Sequence, residues 1–516
     1  MTLLVLSQRS WSRDFRRSAV PDAQSAAAKH ARAFDLIVIG AGSGNSLIGP
    51  EFSDWSVALI DDGRWFGGTC LNAGCIPTKM FVRVADVTTD AAEGGRIGVT
   101  AGVDPIDWPA VRDRVFARTD KLSQAGFRYR DQKSPNVTVF RESFGFADQH
   151  TVVSASGTRL TAPRIVIAAG SRPRALSAAY EPDNAITDSD TIMRIESLPE
   201  SMVIVGGGSV AVEFAHIFSA FGVDVSVVTR SDRLLTKLDD DVSARFTELA
   251  RERWGVRPSD TVDAIDRVGD HLVVSLHSGE MLETERVLVA IGRIPNTDTL
   301  GVADVGFDLE TDGRLLVDDQ QRVLAAGKPV DGLFALGDVS SVWQLKHVAN
   351  HEARIVEHNL AHPDQPVGGY PGPVPAAIFS HPQIAHFGLT EREAADAGLD
   401  VVAVTQEYGS TAYGWALEDT TSFCKLIVDR QSGRILGAHI IGQEASILIQ
   451  PLIQAASASL SITGLARGQF WPHPAASEVV ENALLKAEEE RAVNAGSETA
   501  QPSEKSPTNE IAETQR

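Results

Sequence analysis

Residues 34–46 read FDLIVIGAGSGNS, and residues 202–218 read MVIVGGGSVAVEFAHIF. In each, a short apolar run meets a cluster of glycines and then continues. That is the pattern of a buried strand, a glycine turn and a helix. A second apolar run follows each one, VALIDD at 57–62 and VSVVTR at 225–230, so each stretch opens a parallel βαβ unit. Glycines at such a turn let the backbone approach a pyrophosphate, and the N-terminus of the next helix faces its charge. Two units predict two dinucleotide sites.

In the second unit Gly206, Gly208 and Ala211 satisfy GxGxxA. An NAD site holds an acid at the end of the following strand, for the ribose 2′-hydroxyl. Here that strand ends in Thr229, followed by Arg230, with Arg233 and Lys237 nearby. The missing carboxylate and added cations favour a 2′-phosphate, hence NADPH over NADH; the plainer alternative is a set of solvated surface charges. The first unit has Gly40 and Gly42 but Asn45 in the third place. Either its helix sits farther from the sheet or Gly44 takes over the close contact. Asp61, ending the VALI strand, is the expected ribose acid, with Asp62 as the competing choice, and FAD or NAD fits such a site. Three further strand exits, RIVIAAGSRP (164–173), RVLVAIGRIPN (286–296) and GLFALGDVSS (332–341), place Ala169, Gly170, Gly292 and Asp338 at strand ends and support a bound flavin.

At 516 residues the chain predicts about three domains or one more. With 43% apolar and 22% charged residues it has a globular composition, and no apolar run approaches the ~20 residues of a spanning helix. A net charge of −21 argues against a nucleic-acid partner. The first thirty or so residues are Arg-, Ser- and Ala-rich, like a transit peptide in composition, and are read as an extension before the first strand. The segment from about 488 is polar, Pro/Ser/Glu-rich and without apolar periodicity, and is expected to be a disordered tail.

The chain has three cysteines, which do not make a disulfide framework, so a reducing cytoplasm is expected. Two of them, Cys70 and Cys75, lie in GGTCLNAGCIPTKM (67–80). A zinc site needs about four ligands, and no second pair supplies them; no metal is expected. A structural staple across so short a loop would gain little. An accessible redox pair has a mechanism: Pro77 suits the first turn of a helix, and a helix N-terminus near Cys75 would favour its thiolate. Cys424 reads as a buried strand residue.

Together with the two nucleotide units, AAGSRP, GLFALGD and the late WPHPAASEVVE (471–481), the cysteine stretch resembles the flavoprotein disulfide reductases, the class I pyridine nucleotide-disulfide oxidoreductases, over the whole folded chain. The resemblance implies an α/β fold with two Rossmann-like dinucleotide-binding domains, for FAD and NADPH, and an α+β C-terminal dimerisation domain. The implied segments are a flexible extension 1–33, an FAD-binding part 34–170, an NADPH-binding domain 171–292, a central part 293–365, a dimerisation domain 366–487 and a tail 488–516. It implies an electron relay from NADPH to the flavin, to a Cys70–Cys75 disulfide, and on to a small-molecule disulfide. Cys70 would be the interchange thiol and Cys75 the thiolate against the flavin, with Gly68 and Thr69 at the FAD. His473 would be the acid/base and Glu478 its orienting carboxylate, both serving the other subunit of a homodimer. Glu213 interrupts an apolar run and needs a partner; His216, three residues on, is the local candidate, whereas the resemblance pairs Glu213 with Lys79 beside the flavin.

Stretches such as DVSSVWQLKHVANHEARIVEHNL (338–360) and YGWALEDT (413–420) resemble the branch that acts on the disulfide of a sugar-inositol thiol. Phe127, Tyr129, Tyr413 and Trp415 are candidate walls for such a substrate. Glutathione reductase and dihydrolipoyl dehydrogenase activities are the competing readings, and a flavin-binding redox sensor the competing class; an acid/base pair in WPHPAASE stands against a sensor.

Overall fold

The computed structural model describes residues 31–102 and 104–498. These cluster into two units: residues up to 237 together with 243–381, and residues 238–242 together with those from 382 on. Residues 366–381, expected with the last domain, therefore pack with the first unit.

The first unit is built on two parallel sheets. One runs in the order Arg322–Ala325, Lys328–Ala335, Ile165–Ile167, Leu36–Ile39, Val57–Ile60, Val137–Phe140, all parallel except the first pair. Its central strand, LIVI, is buried at every position, as a parallel sheet covered on both faces requires. Alternate residues serve opposite cores: Ile37, Ile39, Ala58, Ile60 and Ile165 on one side, Leu36, Val38, Val57, Leu59 and Val166 on the other. Burying each such side chain contributes on the order of 1.5–3 kcal/mol. The second sheet orders Ile186–Asp188, Arg286–Val289, Ser201–Val205, Asp224–Val228 and Gly255–Arg257, all parallel. The two apolar runs that opened each unit are thus neighbouring parallel strands in both sheets, with Ile39 level with Ile60 and Val205 level with Val228.

The crossovers differ. In the second βαβ unit the expected helix spans Ser209–Ala220. In the first, no α-helix follows the glycines; two short 3-10 turns, Gly44–Leu47 and Pro50–Phe52, take its place. The cause is a long-range clamp. Arg130, on the helix Trp108–Lys133, donates from Nε to Asn45 Oδ1 at 2.7 Å and from Nη2 to the carbonyls of Asn45 and Ile48 at 2.8 and 3.1 Å. Those carbonyls are satisfied by a guanidinium instead of by helical amides. Gly44 takes the close contact: a Cβ there would lie 2.7 Å from Ala168 Cβ and 3.0 Å from Val38 Cγ1.

In the second unit the strands Ile384–Gly388, Ile435–Ile441, Phe423–Asp429 and Val401–Glu407 pair antiparallel in that order. The helix Glu478–Glu498 packs on the last two. It buries Val479, Val480, Ala483, Leu484 and Ala487 and runs on into the stretch expected to be a disordered tail. Polar anchors carry the continuation: Glu488 accepts from Gly464 N and from Arg467, and Arg491 donates to the carbonyls of Arg430 and Gln431. At the other end Arg32–Ala33 pairs with Leu160–Thr161, so pairing starts inside the expected extension; residues 1–30 and 499–516 lie outside the described residues.

Buried in the second unit, Lys425 Nζ meets Asp239 at 2.9 Å, Asp241 at 2.7 Å and Glu391 at 2.6 Å. Burial works against its charge, and the three carboxylates outweigh that and hold it protonated.

Arg130→Ala would leave the Asn45 and Ile48 carbonyls without this donor, a cost of about 1–3 kcal/mol. A thermal melt should show a clear drop in Tm; an unchanged Tm would mean that the 3-10 crossover holds without the clamp.

Candidate active site

The two glycine turns share one geometry. Gly40 and Gly206 have φ of 110° and 130°, and a Cβ on either would fall 2.2 Å from Ala168 O or 2.3 Å from Ala290 O. Only glycine fits where the backbone is both left-handed and this close to a neighbouring strand. Gly208 stands at the N-terminus of the Ser209–Ala220 helix with open space around its Cα, and Ala211 is fully buried. Thr229 is buried against Gly207, while Arg230 and Lys237 are exposed and Arg233 lies 3.6 Å from Asp232.

In the first unit Asp61 is buried, and burial raises its pKa, opposed by hydrogen bonds from the Gly63 and Ala41 amides. Asp62 is exposed and accepts from Arg64 N. Asp338 accepts from Ser171 Oγ at 2.6 Å, and Ser171 Oγ accepts from Arg293 Nε at 2.8 Å. The strand exits after Gly170 and Gly292 pair with each other, Ser171 opposite Pro295, and Asn296 donates to the carbonyls of Ala169 and Gly170. Ser171 and Arg293 escaped the sequence reading. Their one signal was position, each directly after an exit glycine.

Cys70 is the third residue of a short helix, Gly68–Asn72, and Cys75 the first of a long one, Cys75–Glu93. The left-handed Gly67 and Gly68 deliver the short helix against the first glycine loop: a Cβ on Gly68 would lie 2.8 Å from Gly42 Cα. Thr69 O accepts from Ala73 N and closes that helix. Pro77 is buried in the first turn of the long helix, as its lack of an N–H allows. Both thiols are free, and a hydrogen bond between them splits their acidities. It lowers Cys75 to about 7, opposed by burial and helped by Lys79. It raises Cys70, as burial does, with Lys346 working the other way. Cys75 is the more acidic thiol of the pair.

One turn beyond Cys75, Lys79 Nζ contacts Glu213 Oε2 at 2.6 Å, and the other Glu213 oxygen accepts from Phe379 N at 2.8 Å. The ammonium also lies over the Phe379 ring, 4.6 Å from its centre. His216 is engaged elsewhere, 3.0 Å from Asp86, so the local pairing with Glu213 is not the one formed.

In the second unit His473 Nδ1 contacts Glu478 Oε1. The imidazole is 74% exposed and the carboxylate 9%, leaving Nε2 free to meet another molecule. Among the aromatic candidates, Phe127 packs edge-on against Phe66 and serves the core. Tyr129 and Trp415 are exposed, and Trp415 Nε1 donates to Gly409 O. Cys424 is wholly buried and its thiol pushed up to about 12 by burial, which leaves it inert. Among the described residues no His/Cys/Asp/Glu cluster could hold a metal ion, and no helix is long and apolar enough to cross a membrane.

Residues 34–353 match the family model for pyridine nucleotide-disulphide oxidoreductases, and residues 374–484 match that family's dimerisation domain. The chain belongs to the pyridine nucleotide-disulphide oxidoreductase family. It is 46% identical over 461 residues to mycothione reductase of Mycobacterium tuberculosis, covering 88% of this chain and 99% of that protein. Dihydrolipoyl dehydrogenase of Halobacterium salinarum is 31% identical over 472 residues, 88% and 96% of the two chains. In fold, an HOCl-induced flavoprotein disulfide reductase, RclA of Escherichia coli, superposes with a TM-score of 0.76 at 24% identity, covering 87% of this chain and 99% of that one. As a pyridine nucleotide-disulphide oxidoreductase, this chain is an enzyme that couples a nicotinamide and a flavin to a disulfide, and its adjacent free cysteines, Cys75 exposed and Cys70 half-buried, fit that chemistry.

The residues present fit two dinucleotides. Gly40 and Gly206 hold each loop against the neighbouring strand too closely for a Cβ, Gly208 leaves open space at the start of its helix, and the buried carboxyl of Asp61 ends its strand beside the first loop. In the reduced protein the iodoacetamide reactivity of Cys75, followed by mass spectrometry, should rise with pH around a midpoint of about 7. Lys79→Met should move that midpoint upward. A wild-type midpoint near the ordinary thiol value of ~8.5 would contradict the split.

Proposed function

We propose that this enzyme reduces mycothione, the disulfide of mycothiol, with NADPH and FAD. The 46% identity to mycothione reductase over nearly its whole length, against 31% to a dihydrolipoyl dehydrogenase, carries the choice of substrate. The choice of NADPH rests on Arg230, Arg233 and Lys237 after a strand that ends in Thr229 where an NAD site would place an acid. FAD is assigned to the first loop, where Gly40, Gly42, Gly68 and Thr69 would hold it, Gly44 would bring the loop close to the sheet beneath it, and Asp61 would take its ribose. Ala169, Gly170 and Asp338 complete that site, and Gly206, Gly208, Ala211 and Gly292 the other. A bound flavin would supply the two-electron chemistry that links NADPH to the cysteine disulfide.

The chain's own residues do the rest. Lys79, held by Glu213, keeps a cation one turn from Cys75. The Cys70 thiol gives its proton to His473 of the partner subunit and attacks one sulfur of the substrate. A Cys70–substrate disulfide forms as the substrate S–S bond breaks, and the leaving thiolate takes the proton back from the imidazole. The Cys75 thiolate then attacks the Cys70 sulfur. The internal disulfide re-forms, and the second thiolate leaves and takes up one proton from solvent. Glu478 of the partner subunit holds the imidazole at Nδ1, so Nε2 is the nitrogen that moves the proton. The reaction therefore needs a homodimer, in line with the dimerisation-domain match. A cytoplasmic location suits an enzyme that maintains a thiol pool and keeps Cys424 unpaired.

Purified enzyme should oxidise NADPH far faster with mycothione than with glutathione disulfide or lipoamide. Equal or reversed preference would overturn the substrate, and a single flavin bleaching without turnover would make the protein a sensor. Cys70→Ser should abolish turnover while leaving a coloured flavin; a colourless variant would mean that the stretch is structural. Combined Arg230→Ala and Arg233→Ala should raise KM for NADPH and leave that for NADH nearly unchanged, whereas equal effects on both would remove the 2′-phosphate assignment.

A further inference from the structure

Glu352 is a buried carboxylate without a cation. It lies in the helix Lys346–Ala361 and is 1% exposed. Among the described residues no Lys, Arg or His pairs with it; Oε2 accepts from the Gly337 amide at 2.7 Å and Oε1 from the Tyr370 hydroxyl at 2.7 Å. A charge taken out of water is costly unless it is fully hydrogen-bonded, so both donors count. Gly337 is left-handed, with φ of 73°, and it opens the turn Gly337–Val339 that carries Asp338. Its carbonyl accepts from the Ser340 and Ser341 amides at 2.9 and 2.8 Å. Glu352 supplies the bond on the other side of the same residue.

The second donor, Tyr370, comes from the stretch 366–381 that packs with the first unit. Burial and then the Glu352 charge push its hydroxyl up, so it stays a donor. The same stretch is held again further along in the same manner, where Glu213 takes the Phe379 amide with one oxygen and Lys79 with the other. Between these points His347 Nε2 meets Pro375 O at 2.9 Å. Each carboxylate therefore joins one end of the segment 370–379 to one part of the catalytic centre, Lys79 at one end and the Asp338 turn at the other. We propose that Glu352, fastened by Tyr370, is a positioning residue for the flavin: it holds the Gly337 amide so that the left-handed turn keeps Asp338 directed at the cofactor. Tyr370 acts through the carboxylate alone. Without the hydroxyl one buried oxygen of Glu352 has no donor, and the carboxylate gains by turning toward water and releasing the Gly337 amide.

The proposal rests on the assignment of Asp338 to the flavin site. The test follows flavin release from diluted holoenzyme, read as free flavin passing an ultrafiltration membrane, together with the visible circular dichroism of the bound flavin and Tm. Tyr370→Phe keeps the ring and should speed release about tenfold, the scale of one hydrogen bond to a charged group, and should alter the flavin dichroism. Glu352→Ala should release flavin at least as fast. Adding Tyr370→Phe to Glu352→Ala should then change nothing further, because the two residues act as one. Unchanged release and dichroism with Tyr370→Phe overturn the proposal, and a lowered Tm beside them would make the pair a packing element. Additive effects of the two substitutions overturn it as well. Asp338→Ala separates the underlying assignment: release at the wild-type rate from that variant removes Asp338 from the flavin site, and the proposal with it, whatever Tyr370→Phe does.

Discussion

A carbonyl oxygen stands where a side chain on Gly40 would begin, and the same is true of Gly206. These two contacts fix how close each glycine loop lies to the strand beside it. Everything placed by the loops inherits that spacing. The first loop in turn seats the cysteine helix, because Gly42 and Gly68 meet backbone to backbone with no room for a Cβ. The redox stretch is thus positioned by main chain against main chain, the stiffest kind of contact a protein offers, and by side chains only secondarily. Hydrogen bonds then lock the surroundings: Arg130 on the crossover, Arg293 through Ser171 on Asp338, Asn296 on the exit after Gly170.

On that rigid base the electrostatics are divided. One hydrogen bond between two thiols drives their acidities apart, and Lys79 adds its charge on the Cys75 side. Glu213 does not help Cys75 to ionise; it opposes it. Its use is geometric, since it anchors Lys79 by one oxygen and the Phe379 amide by the other. A carboxylate that weakens the thiolate slightly is tolerated because it fixes the cation that strengthens it.

Much of this was legible in the sequence, for a physical reason. Parallel strands covered on both faces must be unbroken apolar runs, so LIVI, VALI and MVIV could be read and paired by eye. Glycine positions with no space for a Cβ are equally visible. The first crossover was not, because its form depends on a guanidinium 85 residues away and nothing local announces it. The identity of Glu213's partner had the same character: His216 was near in sequence, Lys79 134 residues off, and the half-buried ion pair formed with the distant one. The helical continuation past 487 was hidden for a different reason. Its anchors are salt links and carbonyl contacts on a polar surface, which leave no apolar period to see.

The lysine buried in the last sheet bears on how this chain can be divided. The two family matches fall on consecutive stretches, which invites the picture of two modules joined end to end. Yet Asp239 and Asp241, two of the three acids that neutralise Lys425, come from a five-residue excursion far upstream of the dimerisation domain. A fragment starting at 382 would keep Glu391 alone and bury a lysine stripped of most of its compensation, a costly state. The C-terminal segment is therefore no transplantable cassette. Any grafting or recombination of such enzymes that swaps it must carry residues 238–242 along.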